Sequence, residues 1–169
     1  GNTTCIGFKS GLSLVTGAIE NTLVGYQSGT KFGHADNDAN TALGYNSLGG
    51  GHATASNNTA YSNTAIGRAA IGGAVASNVA ITAYNNVGVG ADTGRYITTG
   101  YENTLAGFQA GFNMTTSLQN TFIGNESGLN FSTSTGKNTA LGYRALYTGS
   151  GTYADNTAHS NVALGWKAM

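Results

Sequence analysis

The stretch NTALGYNSL at 40–48 returns as NTALGYRAL at 138–146, and its reading decides the fold. Aligned on the glycine at its centre, seven further copies emerge: TTCIGFKSG (3–11), NTLVGYQSG (21–29), NTAIGRAAI (63–71), NVGVGADTG (86–94), NTLAGFQAG (103–111), NTFIGNESG (120–128) and NVALGWKAM (161–169). Nine copies of one nine-residue phrase define a repeat architecture. Residue character alternates with period two within a copy, and the content is β-branched and aromatic. That combination predicts a strand, not a helix.

Period two divides each copy into two faces. One carries Thr or Val, then an aliphatic residue, then usually an aromatic one, then a small one, as in Thr22, Val24, Tyr26 and Ser28 or Thr139, Leu141, Tyr143 and Ala145. The aliphatic slot is apolar in every copy, so this face is expected to be buried. The opposite face opens with Asn, has the glycine at its middle and ends on a mostly polar slot such as Lys9, Gln27 or Arg144.

The ninth residue sorts the copies into two kinds. After Gly11, Gly29, Gly94, Gly111 and Gly128 the next copy starts 17 to 19 residues beyond the present start; after Leu48, Ile71 and Leu146 it starts 23 beyond. A glycine that turns with positive φ is expected to close the coil early, whereas a large apolar residue extends the buried face into a longer excursion. The long excursions hold further Asn-rich phrases, NNTAYSN (57–63), SNVAITAYNN (77–86) and DNTAHSN (155–161). A larger period exists too, since 40–71 aligns without gaps to 138–169 at an offset of 98. The chain reads as one array of nine coils over 1–169, a piece of a longer fibre built by duplicating a block.

Parallel strands at such steps need crossovers and cannot be hairpins. One strand per coil, stacked on its equivalents, predicts an all-β fold: a parallel β-solenoid, or β-helix. Asn opens eight copies, at Asn21, Asn40, Asn63, Asn86, Asn103, Asn120, Asn138 and Asn161. Stacked amides bond from coil to coil, so these are expected to form a structural ladder. The glycines Gly7, Gly25, Gly44, Gly67, Gly90, Gly107, Gly124, Gly142 and Gly165 mark a bulge, a bend or a close backbone approach.

The phrase N-T-A-[IL]-G-Y-x-[AS]-L resembles the repeats in shafts of phage tail fibres and related bacterial surface-fibre proteins. More distantly, it is similar to the Asn-Ser-x-Ala-x-Gly repeats in head domains of trimeric autotransporter adhesins, from which the longer, two-length step departs. Both families are homotrimers of parallel β structure. The resemblance therefore implies a homotrimeric fibre, extracellular or on a virion, with itself as its main partner.

Composition restricts the alternatives. Charged residues are 8 % of the chain, seven basic against seven acidic, for a net charge of zero; typical soluble domains carry roughly 25 %. No basic footprint for nucleic acid or an anionic membrane surface exists, and no apolar run reaches the roughly 18 residues of a membrane span. The acidic residues are scattered, so no catalytic set is expected, and no cofactor. His34-Ala-Asp36-Asn37-Asp38 is the best metal candidate, with alternating oxygen donors but neither the glycine nor the distal glutamate of a calcium loop. His34, His52 or His159 would each meet its own copies at a trimer axis only if it pointed there. Gly88, Gly90 and Gly94 lack phosphate-loop spacing, as does Gly136-Lys137. Cys5 fills a slot that elsewhere holds Ala, Leu or Phe. Arg68 interrupts the aromatic series, and Tyr61, Tyr84, Tyr96, Tyr101, Tyr147 and Tyr153 lie between copies, where they cover a thin core or stack on sugars.

The expected function is thus a structural shaft that supports attachment to a surface or glycan. The alternative is an adhesin or lectin-like glycan-binding module. Less favoured are an ice-binding solenoid, suggested by the threonine column at Thr22, Thr41, Thr64, Thr104, Thr121 and Thr139, and a tail-spike polysaccharide hydrolase. The threonine column argues weakly, because it falls on the face expected to be buried and the step is uneven.

Overall fold

The computed structural model describes residues 2–50, 58–72, 79–131, 136–147 and 159–168. It contains nine three-residue strands: β1 (Thr4–Ile6), β2 (Thr22–Val24), β3 (Thr41–Leu43), β4 (Thr64–Ile66), β5 (Val87–Val89), β6 (Thr104–Ala106), β7 (Thr121–Ile123), β8 (Thr139–Leu141) and β9 (Val162–Leu164). All pair in parallel, each with its sequence neighbours, in one sheet of order β1 to β9. Equivalent motif positions are in register throughout, Thr22 opposite Thr41 and Leu23 opposite Ala42, for example. The chain is a β-solenoid, one motif per coil, and among the described residues it has no helix. Uneven steps in sequence leave no trace in the sheet, because connections of different length absorb them.

The coil turns at fixed places. Among the described residues twenty that are not glycine have positive φ, a conformation L-residues seldom adopt. All fall in three columns: the residue before the motif (Glu20 to Ser160), the seventh motif residue (Lys9 to Lys167) and the ninth where it is not glycine (Leu48, Ile71 and Leu146). The fifth residue is always glycine for two reasons. Its φ lies between 121° and 138°, a region open essentially to glycine alone. A Cβ there would also strike the next coil's glycine carbonyl, at 2.5 Å for Gly7 against Gly25, Gly44 against Gly67 and Gly90 against Gly107. The close-approach reading of these glycines is the right one.

The expected faces are inverted. In the strands the second motif residue points outward and the third is buried: Leu23, Ala42, Ala65, Leu105, Phe122 and Ala140 are fully enclosed. Thr22, Thr41, Leu43 and Leu141 are exposed. Both the third and the fourth columns are apolar, so hydrophobicity alone does not choose between them. The asparagine chooses: it shares a face with the third residue, and only inside the coil does its amide find a complete set of partners. Beyond the central glycine the turns reset the phase, so the eighth residue points inward. Ser28, Ser47 and Ser127 are buried there and donate to the next coil's Ala42, Ala65 and Ala140 carbonyls at 3.0, 2.7 and 3.2 Å.

The turn mechanism expected to separate the two step lengths does not hold. Leu48, Ile71 and Leu146 turn with φ of 47°, 46° and 52°, close to the 55° to 60° of Gly11, Gly29, Gly94, Gly111 and Gly128. Glycine is therefore not what permits the turn. The ninth residue instead complements the third inside one coil. Large Leu23, Leu105 and Phe122 go with Gly29, Gly111 and Gly128, whereas Ala42, Ala65 and Ala140 go with Leu48, Ile71 and Leu146. A Cβ on Gly29 would lie 2.7 Å from Leu23 Cδ1. In these six coils the interior holds one large side chain from this pair of positions; where both are glycine, at Gly88 and Gly94, Ile71 of the preceding coil lies against Gly88.

Candidate functional site

Of the residues expected inside, the small eighth one is buried, whereas the second, fourth and sixth form a stripe along the outer face of the sheet. Its first column is Thr4, Thr22, Thr41, Thr64, Val87, Thr104, Thr121, Thr139 and Val162. The second is aliphatic, and the third holds Phe8, Tyr26, Tyr45, Phe108, Tyr143 and Trp166. Leu43 is 46 % exposed, Leu141 45 % and Tyr45 55 %. Eight strand-to-strand steps of about 4.8 Å make the stripe roughly 40 Å long. Neighbouring rings stack: Phe8 on Tyr26 at 5.4 Å between centroids, and Tyr26 on Tyr45 at 5.2 Å. Exposed apolar side chains that continue from strand to strand make this stripe the candidate site.

The aromatic column is interrupted at Arg68, Ala91 and Asn125. Arg68 pairs with Asp92 of the next coil, whose side chain is 2 % exposed and takes a second bond from Arg95 at 2.9 Å. Arg144 Nε donates to Glu126 Oε2 at 2.6 Å, and that bond raises the arginine pKa. Glu102 accepts from Gln119 at 2.9 Å. These acids thus face cations or an amide, not a second carboxylate.

Behind the stripe the asparagines form a continuous hydrogen-bonded column. Asn86 Oδ1 accepts from the Asn103 backbone N–H at 3.0 Å and from its Nδ2 at 2.9 Å. Asn86 Nδ2 donates to Asn63 Oδ1, Tyr84 O and Gly100 O at 3.1, 3.0 and 2.9 Å. The same Oδ1 double acceptance links Asn21, Asn40, Asn63, Asn103, Asn120, Asn138 and Asn161. At the first coil Thr3 Oγ1 takes the asparagine's place and accepts from Asn21 N–H at 3.3 Å. Every buried amide is engaged along this column, which gives it a structural task.

The metal candidate does not assemble. His34 Nδ1 is 3.5 Å from Asp36 Oδ2 and accepts the Asp36 N–H, while Asp38 Oδ1 accepts the Ile19 N–H at 2.8 Å. Among the described residues no three His, Cys, Asp or Glu side chains are grouped to hold a metal. His159 Nδ1 accepts the Gly136 N–H at 3.2 Å. His52, Tyr153 and Asp155 lie outside the described residues. Cys5 is exposed on β1, which has a neighbour on one side only, and partial burial raises its thiol pKa.

Sequence reasoning missed a second ring column. Tyr61, Tyr84 and Tyr101, each two residues before a motif asparagine, are joined by parallel bridges and stack at 4.9 and 4.8 Å with interplanar angles of 5° and 4°. The common offset from Asn63, Asn86 and Asn103 was the available signal. Both faces of Tyr84 are covered by its neighbours, so it offers no face for a sugar to stack on.

No protein-family model matches the chain, and no curated protein or solved structure matches it either.

Proposed function

We propose that the chain is a structural segment of an extracellular or virion fibre, in which parallel copies associate as a homotrimer through the outward Thr–aliphatic–aromatic stripe. The observation that carries this reading is an uninterrupted aliphatic column, in register over nine strands, on the outside of the coil. Covering an exposed Leu, Ile or Phe is worth about 1.5–3 kcal/mol, and the stripe offers many such groups. A second copy has the same rise per coil, so contacts made at one strand recur at the next without drift. A partner of different period falls out of step within a few coils.

The trimeric count and the extracellular or virion setting are supported by the resemblance to tail-fibre and adhesin repeats. The function is mechanical: repetition supplies length, and the ladder and sheet supply rigidity. Electron microscopy of the purified chain is expected to give rods, with a solution mass that is a multiple of one chain. Isolated monomers of globular outline contradict it.

One observation favours a second reading. The threonine column stands on the exposed face at uniform spacing, so both arguments raised against ice binding from the sequence fall. Bulky rings beside that column oppose a flat contact. Thermal hysteresis in a solution of the chain supports ice binding; freezing-point depression that is only colligative rejects it.

A further inference from the structure

We propose that Tyr61, Tyr84 and Tyr101 form an oxidative coupling site, at which successive coils become joined by a carbon–carbon bond between phenol rings. The inference is independent of whether copies associate. It rests on three features of the column.

The first is placement. Parallel backbone bridges hold the three residues at the same position of successive coils, and the rings lie 4.9 and 4.8 Å apart, within 5° of parallel. Asp38 and Leu118 occupy the same offset from their motif asparagines in the flanking coils, so the ring column ends there. The second is access: Tyr61 is 39 % exposed, and Tyr84 and Tyr101 are half-buried, so a soluble oxidant reaches the edges while the backbone stays fixed. The third is electrostatic coupling along the column. The Tyr84 pKa is raised, first by loss of solvent and then by Tyr101, Tyr61 and Glu102, so the phenols feel one another's charge.

The chemistry balances with a one-electron oxidant of the heme-peroxidase class supplied with hydrogen peroxide. Two neighbouring phenols each lose one electron and one proton, giving two phenoxyl radicals. The ortho carbons pair to form the new bond, and transfer of each ring hydrogen from carbon to the dienone carbonyl oxygen restores two phenols. The net change is two phenols plus one peroxide to one biphenol plus two waters. Because both rings are held as neighbours, coupling is effectively intramolecular and outcompetes encounters between chains. Turning the rings from stacked to edge-joined needs only side-chain rotation, which the exposed edges allow. The bond spans 23 residues between Tyr61 and Tyr84, or 17 between Tyr84 and Tyr101. It restricts the unfolded chain as a disulfide of similar loop length does.

The test treats the intact chain at low concentration with a heme peroxidase and hydrogen peroxide, then maps cross-linked peptides by mass spectrometry. The expected dominant product joins Tyr84 to Tyr61 or Tyr101 within one chain, with the mass of two hydrogens lost. Tyr84→Phe is expected to lower dityrosine fluorescence several-fold, while any coupling of Tyr26 to Tyr45 persists. Coupling spread evenly over the nine tyrosines, dominated by Tyr26–Tyr45 or by links between chains, overturns the proposal. So does undiminished fluorescence in a folded Tyr84→Phe chain. Should that variant fail to fold, the peptide map of the unsubstituted chain decides alone.

Discussion

Leu23 and Gly29 occupy one volume: a Cβ placed on Gly29 would come within 2.7 Å of Leu23 Cδ1, and where the third motif residue is Ala42, the ninth is Leu48. The pairing yields a double-mutant test. Gly29→Leu alone overfills the coil and is expected to cost about 1–3 kcal/mol. Adding Leu23→Ala copies the Ala42–Leu48 arrangement, and most of that loss is expected to return. Urea denaturation of the two single variants and the double measures the coupling, about 0.5–3 kcal/mol for side chains in contact.

The glycine column is less forgiving. Gly90 has φ 136°, and a Cβ there would meet Gly107 O at 2.5 Å, a backbone atom that moves only if the ladder shifts. Gly90→Ala is expected to destabilise by about 4 kcal/mol or more, in the range reserved for strained backbone and core disruption. A thermal midpoint within a degree or two of the parent contradicts the close approach.

Asn86 tests the ladder. Asn86→Ala leaves the Asn103 N–H without the acceptor it has at 3.0 Å and removes the amide's own donors. The loss is expected to be about 2–5 kcal/mol, because buried polar groups lose partners at several points. Asn86→Asp keeps the shape but aims a carboxylate at the Tyr84 and Gly100 carbonyls. Its pKa rises above the ordinary value, so this variant is stable when protonated and loses stability as pH rises through the folded pKa. Denaturation at acidic and neutral pH checks the sign.

Tyr84 supplies a pH signature of the native chain. Its pKa is raised, so the folded state keeps the phenol proton at a pH where the unfolded state has released it. This contribution is fully present below the unfolded value, about 10, and fades as pH rises from there through the folded pKa. Ultraviolet titration is expected to reveal a late phenolate component that Tyr84→Phe removes.

Much of this was legible in the residues, for reasons that also explain what was not. The repeat in NTALGYNSL and NTALGYRAL fixed strand, parallel pairing and coil count, because side-chain alternation and crossover length are local facts. Which face of the strand turned inward was not local. Ala42 and Leu43 are both apolar, and a hydrophobicity argument favours the larger, yet Leu43 is outside and Ala42 is fully buried. The deciding fact is that Asn40 shares Ala42's face and needs the interior to complete its hydrogen bonds. The stacking of Tyr61, Tyr84 and Tyr101 was hidden because steps of 23 and 17 residues place them in one column only once the register is known.

The proposed interface between copies runs along the stripe from Ile6 to Leu164, and sedimentation equilibrium of the purified chain is its sharpest test. A mass three times that of one chain is predicted, falling to the single-chain value in a Leu43→Asp, Leu141→Asp variant whose coil remains folded, since neither side chain packs inside. A single-chain mass for the unsubstituted protein at every concentration tried would contradict it.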